Sequence, residues 1–437
     1  MKGARLWLWL ALLLAVSVIL GACRPRPAAP PIPTPTPVAP APVAPTPTPR
    51  AAWKEPIKVG VTYDSTGPTQ IIGIAFKAGL EDAIALINRK GGVDGHPIEP
   101  IFCEHAYEVP KGVECYERLK AQGVVGMLVY GTPHVYALID RCNADKLPCF
   151  FPGFGPGAAA DGEKVPYGFP MAASYWSQGA AAVAFVLDRW RAEGRPGKPK
   201  IAYLYYDNPA GREPLDVLRE IARREGLEIR EYAVPAPGLE MSAQVTDIVL
   251  RYKADWVITH LFGRSPAVSI KAFREAGYPL DRVVSFIWGA GDADVEAAGG
   301  WAVAEGYYGM QISAIGTDLP VIQEIREMHR AAGKTSPPEM EKSNVYYMRG
   351  VVLAHIWAEG LRQALKLEGW PVTGERFQRG LRAIKGDIGG VLTLDMSPRD
   401  HEGGGYVRVY QVKGGRWVLA KDWFRGYREV VESFVYR

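Results

Sequence analysis

The sequence predicts an α/β protein with two doubly wound parallel-sheet lobes, and three observations lead to this fold class. Short β-branched strands alternate with helical patterns, which is the rhythm of a parallel sheet covered by helices on both faces. The rhythm runs through residues 57–151 and restarts after a helix at about 177–192. Residues 54–437 are also enough for two domains, each able to bury its own core.

The first lobe begins with a strand and a long helix that ends at Gly91-Gly92, a helix stop signal. Short apolar runs continue the sheet, and helical stretches separate them. The predicted strands are Ile57–Tyr63, Pro100–Cys103, Val124–Tyr130 and Pro148–Phe151, with helices at 71–88, 111–121 and 133–142.

The second lobe repeats the pattern, with strands Lys200–Tyr206, Glu228–Val234, Trp256–His260 and Val283–Ile287 and helices at 213–225, 242–252 and 266–276. Beyond residue 306 the pattern changes to helices at 321–332, 346–366 and 374–383, then hairpin-like strands at 390–394, 405–412 and 417–420. This part is too short for a third α/β domain, so it is expected to complete the first two.

The amino terminus has the order of an export signal: basic residues, an apolar run from Leu6 to Leu20, and then Gly21-Ala22-Cys23. The run is shorter than the roughly 20 residues of a membrane-spanning helix, which disfavours a permanent anchor. Residues 20–23 resemble a bacterial lipobox, which predicts a signal peptide over 1–22 and lipidation of Cys23. The alternative is ordinary cleavage near Ala22 that leaves a free Cys23.

A proline-rich segment follows, and residues 24–50 hold twelve prolines among Ala, Thr and Val. Such a segment cannot form a ladder or bury a core, and it favours extended polyproline conformation. We interpret residues 23–53 as a tether that lifts the folded part off a membrane. A tail with no spacing role is the alternative interpretation.

Composition excludes some function classes. The chain is 48% hydrophobic and 22% charged, with a net charge of +4. The positive charge is mild and spread out, so nothing indicates nucleic-acid binding. We expect a monomer.

Four cysteines remain besides Cys23, an even number that suggests disulfides in an exported chain. Cys103 and Cys115 fall near the carboxyl edge of the strands, and Cys142 and Cys149 fall near the opposite edge. This placement predicts the pairs Cys103–Cys115 and Cys142–Cys149. A metal site around the first pair and His105 lacks a fourth ligand at a recognised spacing, so neither a metal nor another cofactor is expected.

Enzyme signatures are missing from the sequence. The seven histidines show no pairing with a nucleophile, and no Gly-x-Ser-x-Gly, phosphate loop or His-Glu-x-x-His motif occurs. Gly153-x-Gly155-x-Gly157 is only a fragment of a dinucleotide fingerprint. Asp400-His401-Glu402 lies in a glycine-rich loop and is interpreted as structural. We therefore expect a protein that is not an enzyme.

Ligands of open parallel sheets bind beyond the carboxyl ends of the strands, and this rule gives the candidate site. In the first lobe it selects Ser65, Tyr130, Gly131, Thr132, Phe154 and Gly155. In the second lobe it selects Tyr206, His260, Phe262, Trp288 and Gly289. A hydrogen-bonded structural role is the alternative for His260, and some of the aromatic residues are expected to pack inward.

Several segments resemble one protein family when taken in order. They are Ile57–Val61 with Ser65-Thr66-Gly67-Pro68, Ile87–Gly95, Gly131-Thr132-Pro133, residues 147–153, Ser177-Gln178-Gly179 and Asp400–Gly405. Together they resemble the type I periplasmic solute-binding proteins of ABC importers, the leucine/isoleucine/valine-binding family. The resemblance covers nearly all of residues 55–425.

The resemblance implies two lobes joined by a three-strand hinge, with crossovers near 172–175, 305–312 and 389–394. Lobe one would then comprise 54–173 plus 308–389, and lobe two 174–307 plus 390–437. It further implies an extracytoplasmic lipoprotein, anchored at the outer face of the cytoplasmic membrane, that captures a small solute by lobe closure and delivers it to a membrane permease. A ligand-sensing receptor lipoprotein of the same fold, which signals through a partner protein, is the alternative.

Thr132-Pro133 favours a helix start whose free N–H groups face the cleft and attract an anionic group. The family holds a ligand carboxylate at this corner and around Phe154-Gly155; the alternative is that Thr132 only caps its helix. The chain departs from the amino-acid binders in lobe two, where Ile287–Ala290 offers no carboxylate for an ammonium group. Asp292 and Asp207 are the substitutes within reach. An apolar or aromatic carboxylate or an amide-like solute therefore competes with an amino acid.

Overall fold

The computed structural model describes residues 53–437, so the predicted signal peptide, Cys23 and nearly all of the tether lie outside the described residues. Two large sheets and one hairpin organise the described part. The strands are β1 Ile57–Tyr63, β2 Ile98–Glu104, β3 Met127–Leu128, β4 Cys149–Phe150, β5 Gly168–Phe169, β6 Lys200–Tyr206, β7 Glu228–Val234, β8 Trp256–His260, β9 Val283–Ser285, β10 Tyr308–Gln311, β11 Lys385–Ile388, β12 Leu392–Asp395, β13 Val407–Lys413 and β14 Arg416–Phe424.

Helices cover both large sheets. A π-helical turn over Asp247–Tyr252 continues the short helix Ser242–Thr246. The α-helices are α1 Gln70–Arg89, α2 Val109–Ala121, α3 Thr132–Ala144, α4 Tyr175–Ala192, α5 Pro209–Arg212, α6 Leu215–Glu225, α7 Ser242–Thr246, α8 Ser265–Glu275, α9 Asp292–Ala297, α10 Pro320–Ala331, α11 Glu339–Lys342, α12 Asn344–Glu368, α13 Gly374–Arg382 and α14 Arg428–Val435. Within residues 53–437, none of the helices combines the length and the apolar character needed to cross a membrane.

The first sheet is parallel throughout, in the order β2-β1-β3-β4-β5. The side chains of Val59 and Val61 on β1 are fully buried, because helices cover the sheet on both faces. The long helix α12 packs on α1 and is buried over most of its length. Helix α12 therefore belongs to the first lobe, although the strands that follow it, β13 and β14, join the second sheet.

The second sheet has the order β14-β13-β10-β9-β8-β6-β7. Strands β6 to β10 run parallel, and β13 and β14 add an antiparallel edge. All five residues of β8 are buried, as expected for a central strand. The predicted fold class, an α/β protein with two parallel-sheet lobes, is confirmed.

The predicted lobe boundaries need two corrections. Tyr308–Gln311 was assigned to lobe one, but it pairs with β9 and β13 and belongs to the second sheet. Its four residues are all buried, which fits a strand between two neighbours. Leu392–Asp395 was assigned to lobe two, but it pairs with β11 in a hairpin separate from both large sheets.

Two disulfides lie in the first lobe. They join Cys103 to Cys115 and Cys142 to Cys149, with Cα–Cα distances of 5.6 and 6.1 Å. The pairing is the one that the sheet edges predict. The second disulfide ties the end of α3 to the start of β4.

The Asp400–Gly405 loop joins distant parts of the chain around one buried carboxylate. Glu402 is fully buried, and its carboxylate accepts the backbone N–H of Ser174 at 2.6 Å and pairs with Arg428. Arg428 also pairs with Asp400 at 3.2 Å. The loop thus connects the segment that enters α4 with the first turn of α14, which supports its structural interpretation.

Candidate functional site

A cleft opens between the carboxyl ends of the two sheets. About 330 Å³ of empty space, part of it open to solvent, lies within it. Among the described residues, its walls carry many aromatic side chains and no charged one. The lining residues are Thr69, Ile72, Tyr107, Tyr130, Gly131, Thr132, Phe154, Tyr175, Phe262 and Trp288.

The lobe-one corner of the cleft is the start of α3. The helix begins at Thr132 with Pro133 next, and the cap position is Gly131. Gly131 thus occupies the cap position that the sequence assigned to Thr132, and Thr132 is the first residue of the helix. The hydroxyl of Thr132 accepts the backbone N–H of Gly155 at 3.2 Å and so fixes the neighbouring loop. Pro133 has no N–H, and the N–H groups of His134 and Val135 donate to the carbonyl oxygen of Gly131 at 3.0 and 3.1 Å. The backbone N–H of Thr132 is therefore the donor of the first turn that is left for an anion, at the positive end of the helix dipole.

Gly131 is required at this corner by space and by backbone conformation. Its φ of 99° lies in the left-handed region that side chains disfavour. A Cβ atom there would lie 2.7 Å from the ring of Tyr107 and 2.9 Å from Nδ1 of His134. The absence of a side chain lets the tyrosine ring close against the corner of the cleft.

A chain of edge-to-face aromatic contacts runs from lobe one to lobe two. The ring centroids of Tyr107 and Tyr130 are 6.3 Å apart, and those of Tyr130 and Phe154 are 6.4 Å apart. Phe154 then meets Trp288 of lobe two at 5.6 Å. Such pairs fall within the range of favourable aromatic geometry. The cleft therefore presents ring surfaces from both lobes.

Trp288 also makes a polar contact between the lobes. Its indole Nε1 donates a hydrogen bond to the carbonyl oxygen of Gly153 at 3.1 Å. Gly153 has φ of 74°, and a Cβ atom there would lie 2.3 Å from Cδ1 of Ile287. A glycine is therefore needed for the two lobes to approach at this point.

Six of the predicted site residues line the cleft together: Tyr130, Gly131, Thr132, Phe154, Phe262 and Trp288. The other five lie beside or behind it. The backbone N–H of Ser65 donates to Glu104, that of Gly155 donates to Thr132, the ring of Tyr206 packs on Phe262 at 5.1 Å, and the carbonyl oxygen of Gly289 accepts from Tyr307.

His260 lies in the core behind the cleft. It is fully buried, its ring stacks on Phe286 at 4.5 Å, and its Nδ1 lies 3.0 Å from the hydroxyl of Tyr203. Burial lowers the pKa of His260 to about 3, because the charged form would lose its hydration. The centre of its neutral ring lies 4.2 Å from the ring centre of Tyr175, which lines the cleft.

Four lining residues were missed in the sequence: Thr69, Ile72, Tyr107 and Tyr175. Tyr107 follows the carboxyl end of β2, which lies beside the end of β1, so the strand-end rule applied to β2 would have found it. Thr69 and Ile72 lie where α1 begins. Tyr175 is the first residue of α4, and no pattern in the sequence marks it as a wall of the cleft.

The acidic residues of lobe two are engaged elsewhere. Asp207 pairs with Arg212 at 2.6 Å, and Asp292 accepts the backbone N–H of Val345 at 2.9 Å. Asp294 accepts the backbone N–H of Gly291 at 2.8 Å and the hydroxyl of Tyr346 through Oδ2, while its buried Oδ1 has no partner among the described residues. Burial raises the pKa of Asp294 to about 7.

A buried cation lies behind the Trp288 wall. Arg349 on α12 is only 1% exposed, and its guanidinium carbon lies 5.8 Å from the centre of the Trp288 ring. Its partners in the described residues are neutral: Oε1 of Gln311 and the hydroxyl of Ser313, while Nε has none. Burial lowers the pKa of Arg349 to about 10, a value that still leaves it charged at neutral pH.

Two parallel-sheet lobes that enclose an aromatic cleft at their carboxyl edges define a two-lobed solute-binding protein. The sequence model of the periplasmic binding protein family matches residues 56–416, so the chain belongs to that family. Members of this family are solute-binding proteins and not enzymes. Membership also implies export from the cytoplasm.

Individual relatives agree with this assignment. The Leu/Ile/Val-binding protein homolog 7 of Brucella suis biovar 1 is 24% identical over 310 residues, which cover 68% of this chain and 76% of the relative. A crystal structure from the Pseudomonas fluorescens group, described as an ABC transporter permease, is 32% identical with a TM-score of 0.79, over 87% of this chain and 95% of that one. A branched-chain amino acid ABC transporter structure from Thermus thermophilus, with bound valine, is 21% identical with a TM-score of 0.72, over 88% of this chain and all of that one.

Proposed function

We propose that the protein is a lipid-anchored receptor that captures one class of small solute in the aromatic cleft and presents it to a membrane permease. The observation that carries the proposal is the cleft itself, whose walls come from both lobes and meet through Trp288 and Gly153. Closing the lobes removes the solute from water. It also creates a surface, shared by both lobes, that a permease can distinguish from the open form.

A second contact between the lobes supports closure as the working motion. The carboxylate of Glu213 in lobe two accepts the backbone N–H of Gly157 in lobe one at 2.7 Å and the hydroxyl of Tyr136. Burial raises the pKa of Glu213, so the carboxylate is partly withdrawn from water in this arrangement. Opening the lobes would break these hydrogen bonds. A solute bound between the lobes would favour the closed form in which they are made.

The anchor belongs to the same proposal. Residues 1–22 serve as the signal peptide, Cys23 carries the lipid, and residues 23–53 space the receptor from the membrane. Several acyl chains, each methylene contributing about 0.8 kcal/mol on burial, would hold the protein durably on the membrane. Replacing Cys23 by Ser should release the mature protein from the membrane fraction and abolish labelling by a fatty-acid analogue. An unlabelled, soluble wild-type protein would contradict the anchor and leave solute binding intact.

The test of solute capture combines thermal unfolding with small-angle X-ray scattering. Branched-chain and aromatic amino acids, their carboxylates and their amides would be added to the protein. A true solute at 100 times its dissociation constant stabilises the fold by about 2.7 kcal/mol. The same solute should reduce the radius of gyration. If no small solute moves either quantity while a partner protein does, the receptor signals instead of transporting.

Glu213→Ala provides a matched test of closure. The variant should bind the solute more weakly, because the lobe contacts through Gly157 and Tyr136 are lost. Asp216→Ala is the control, since Asp216, three residues further along in the first turn of α6, is 74% exposed and pairs with Arg219. Equal affinities in the two variants would show that Glu213 takes no part in closure.

A further inference from the structure

We infer that the solute is an aromatic carboxylate that carries no ammonium group. This inference rests on the proposed function, because it names the class of solute that the same cleft takes. Three properties of the cleft support it: a lining without carboxylates among the described residues, the positive charge behind one wall, and the ring surfaces on both lobes.

An ammonium group would enter this cleft without a counter-charge. Burying an unpaired ammonium carries a large desolvation cost. Asp207 is held by Arg212, and Asp294, whose Oδ1 has no partner among the described residues, is buried outside the lining of the cleft. No side chain that lines the cleft, within the described residues, is a carboxylate.

Asp64 is a buried acid close behind the lobe-one wall, and its oxygens are already occupied. One accepts the backbone N–H groups of Thr66 at 3.2 Å and Gly67 at 2.6 Å. The other accepts the backbone N–H and the hydroxyl of Thr69, at 2.8 and 2.6 Å. A carboxylate has about four lone-pair positions, so these bonds leave none to face the cleft. Asp64 organises the loop before α1.

A carboxylate would find positive potential from two directions. The first turn of α3 offers the backbone N–H of Thr132 and the positive end of the helix dipole. Arg349 offers a full charge behind Trp288, with neutral partners only. A buried cation without a counter-ion is costly, and an anion in the closed cleft recovers part of that cost. Arg349 thus favours closure around an anion and acts through Trp288, without touching the solute.

The walls select a ring for the body of the solute. Six of the ten lining residues are aromatic: Tyr107, Tyr130, Phe154, Tyr175, Phe262 and Trp288. Aromatic pairs contribute beyond the area that they bury, which a saturated ring of equal size cannot reproduce. The hydroxyl and the backbone N–H of Thr132 supply the polar end of the site.

Four matched compounds test the inference by isothermal titration calorimetry. The reference is 3-phenylpropanoate; phenylalanine adds only the ammonium group, 3-phenylpropanamide removes the charge, and 3-cyclohexylpropanoate removes the aromaticity. We expect 3-phenylpropanoate to bind more tightly than each of the others, and more tightly than phenylalanine by at least about tenfold, because the ammonium has no partner. Tighter binding of phenylalanine overturns the inference and leaves solute capture intact. Binding by none of the four, and by no other small solute, overturns the proposed function as well.

The role of Arg349 is tested by the ratio of carboxylate to amide affinity. The positive charge of Arg349 behind the Trp288 wall should favour binding of the carboxylate over the amide by about tenfold. Arg349→Met should reduce the ratio by that factor, whereas Arg349→Lys should keep it. A merely structural role would weaken both compounds equally and leave the ratio unchanged, which would remove Arg349 from the inference. The comparison of the four compounds on the wild-type protein stands even if Arg349→Met fails to fold.

Discussion

The indole of Trp288 donates a hydrogen bond to the carbonyl oxygen of Gly153, from one lobe to the other, at 3.1 Å. The same ring lines the cleft, meets Phe154 edge to face, and separates the cleft from Arg349. One side chain therefore combines contact with the solute, the bond between the lobes and the screen over a buried charge. Substitutions at this position separate these roles.

Trp288→Phe should keep a ring in the wall and lose the donor to Gly153. A net hydrogen bond contributes about 0.5–1.5 kcal/mol, so solute affinity should fall severalfold with little change in unfolding. Trp288→Ala should abolish measurable binding, because the wall itself is lost. Trp423→Phe, on the outer strand β14, is the control and should bind as the wild type does. Wild-type affinity in Trp288→Ala would remove the residue from the site.

Glu402→Gln should destabilise the protein strongly. The substitution leaves Arg428 without its fully buried partner, and breaking a buried pair costs about 3–5 kcal/mol. Urea unfolding measures the loss. Glu432→Gln removes an exposed partner of the same arginine and should cost less than about 1 kcal/mol. Equal losses in the two variants would show that the Asp400–Gly405 loop does not depend on its buried carboxylate.

Asp294 should make stability fall as pH rises. The pKa of its carboxyl is about 7 in the fold, against about 3.9 in an unfolded chain. Stability from this group is fully present below pH 4 and is lost as pH rises through 7. Asp294→Asn lacks the titration, so its stability relative to wild type should increase between pH 4 and 8, by on the order of 4 kcal/mol at most. A difference that stays constant across this range would contradict the raised pKa.

Removing the disulfide between Cys142 and Cys149, by changing both to Ala, should lower the free energy of unfolding by about 2–3 kcal/mol. The end of α3 would lose its covalent tie to β4. Denaturant unfolding measures the change, with the wild type in reductant as a comparison. The free energy of solute binding should change less than the free energy of unfolding, because the cleft lies at the other end of α3. An unchanged midpoint would mean that the tie contributes nothing to the fold.

The fold was predictable because its signals are local. The strands beginning at Ile57, Lys200 and Trp256 are β-branched or aromatic runs between clear helical patterns, and the structure places all three where the sequence does. Tyr308–Gln311 was misassigned because a short buried strand carries no mark of which sheet it joins. Only pairing with β9 and β13 decides that.

The site was half predictable for the same reason. The strand-end rule found Tyr130, Thr132 and Trp288, since position along a parallel strand determines the edge at which a residue lies. Tyr175 and Arg349 escaped it, because α4 and α12 reach the cleft region through tertiary packing. An arginine in a helical pattern is expected to be exposed to solvent. The burial of Arg349 behind Trp288 is apparent only in the complete fold.

Both disulfides lie in lobe one, and the sequence of lobe two contains no cysteine. The cleft therefore lies between one lobe with covalent cross-links, which carries the start of α3, and one lobe held by noncovalent contacts. We expect amide hydrogens of lobe two to exchange faster than those of lobe one in the absence of solute. The disulfides should hold the Thr132 corner of lobe one in a fixed position. The aromatic wall of lobe two should be free to adjust to solutes of different width.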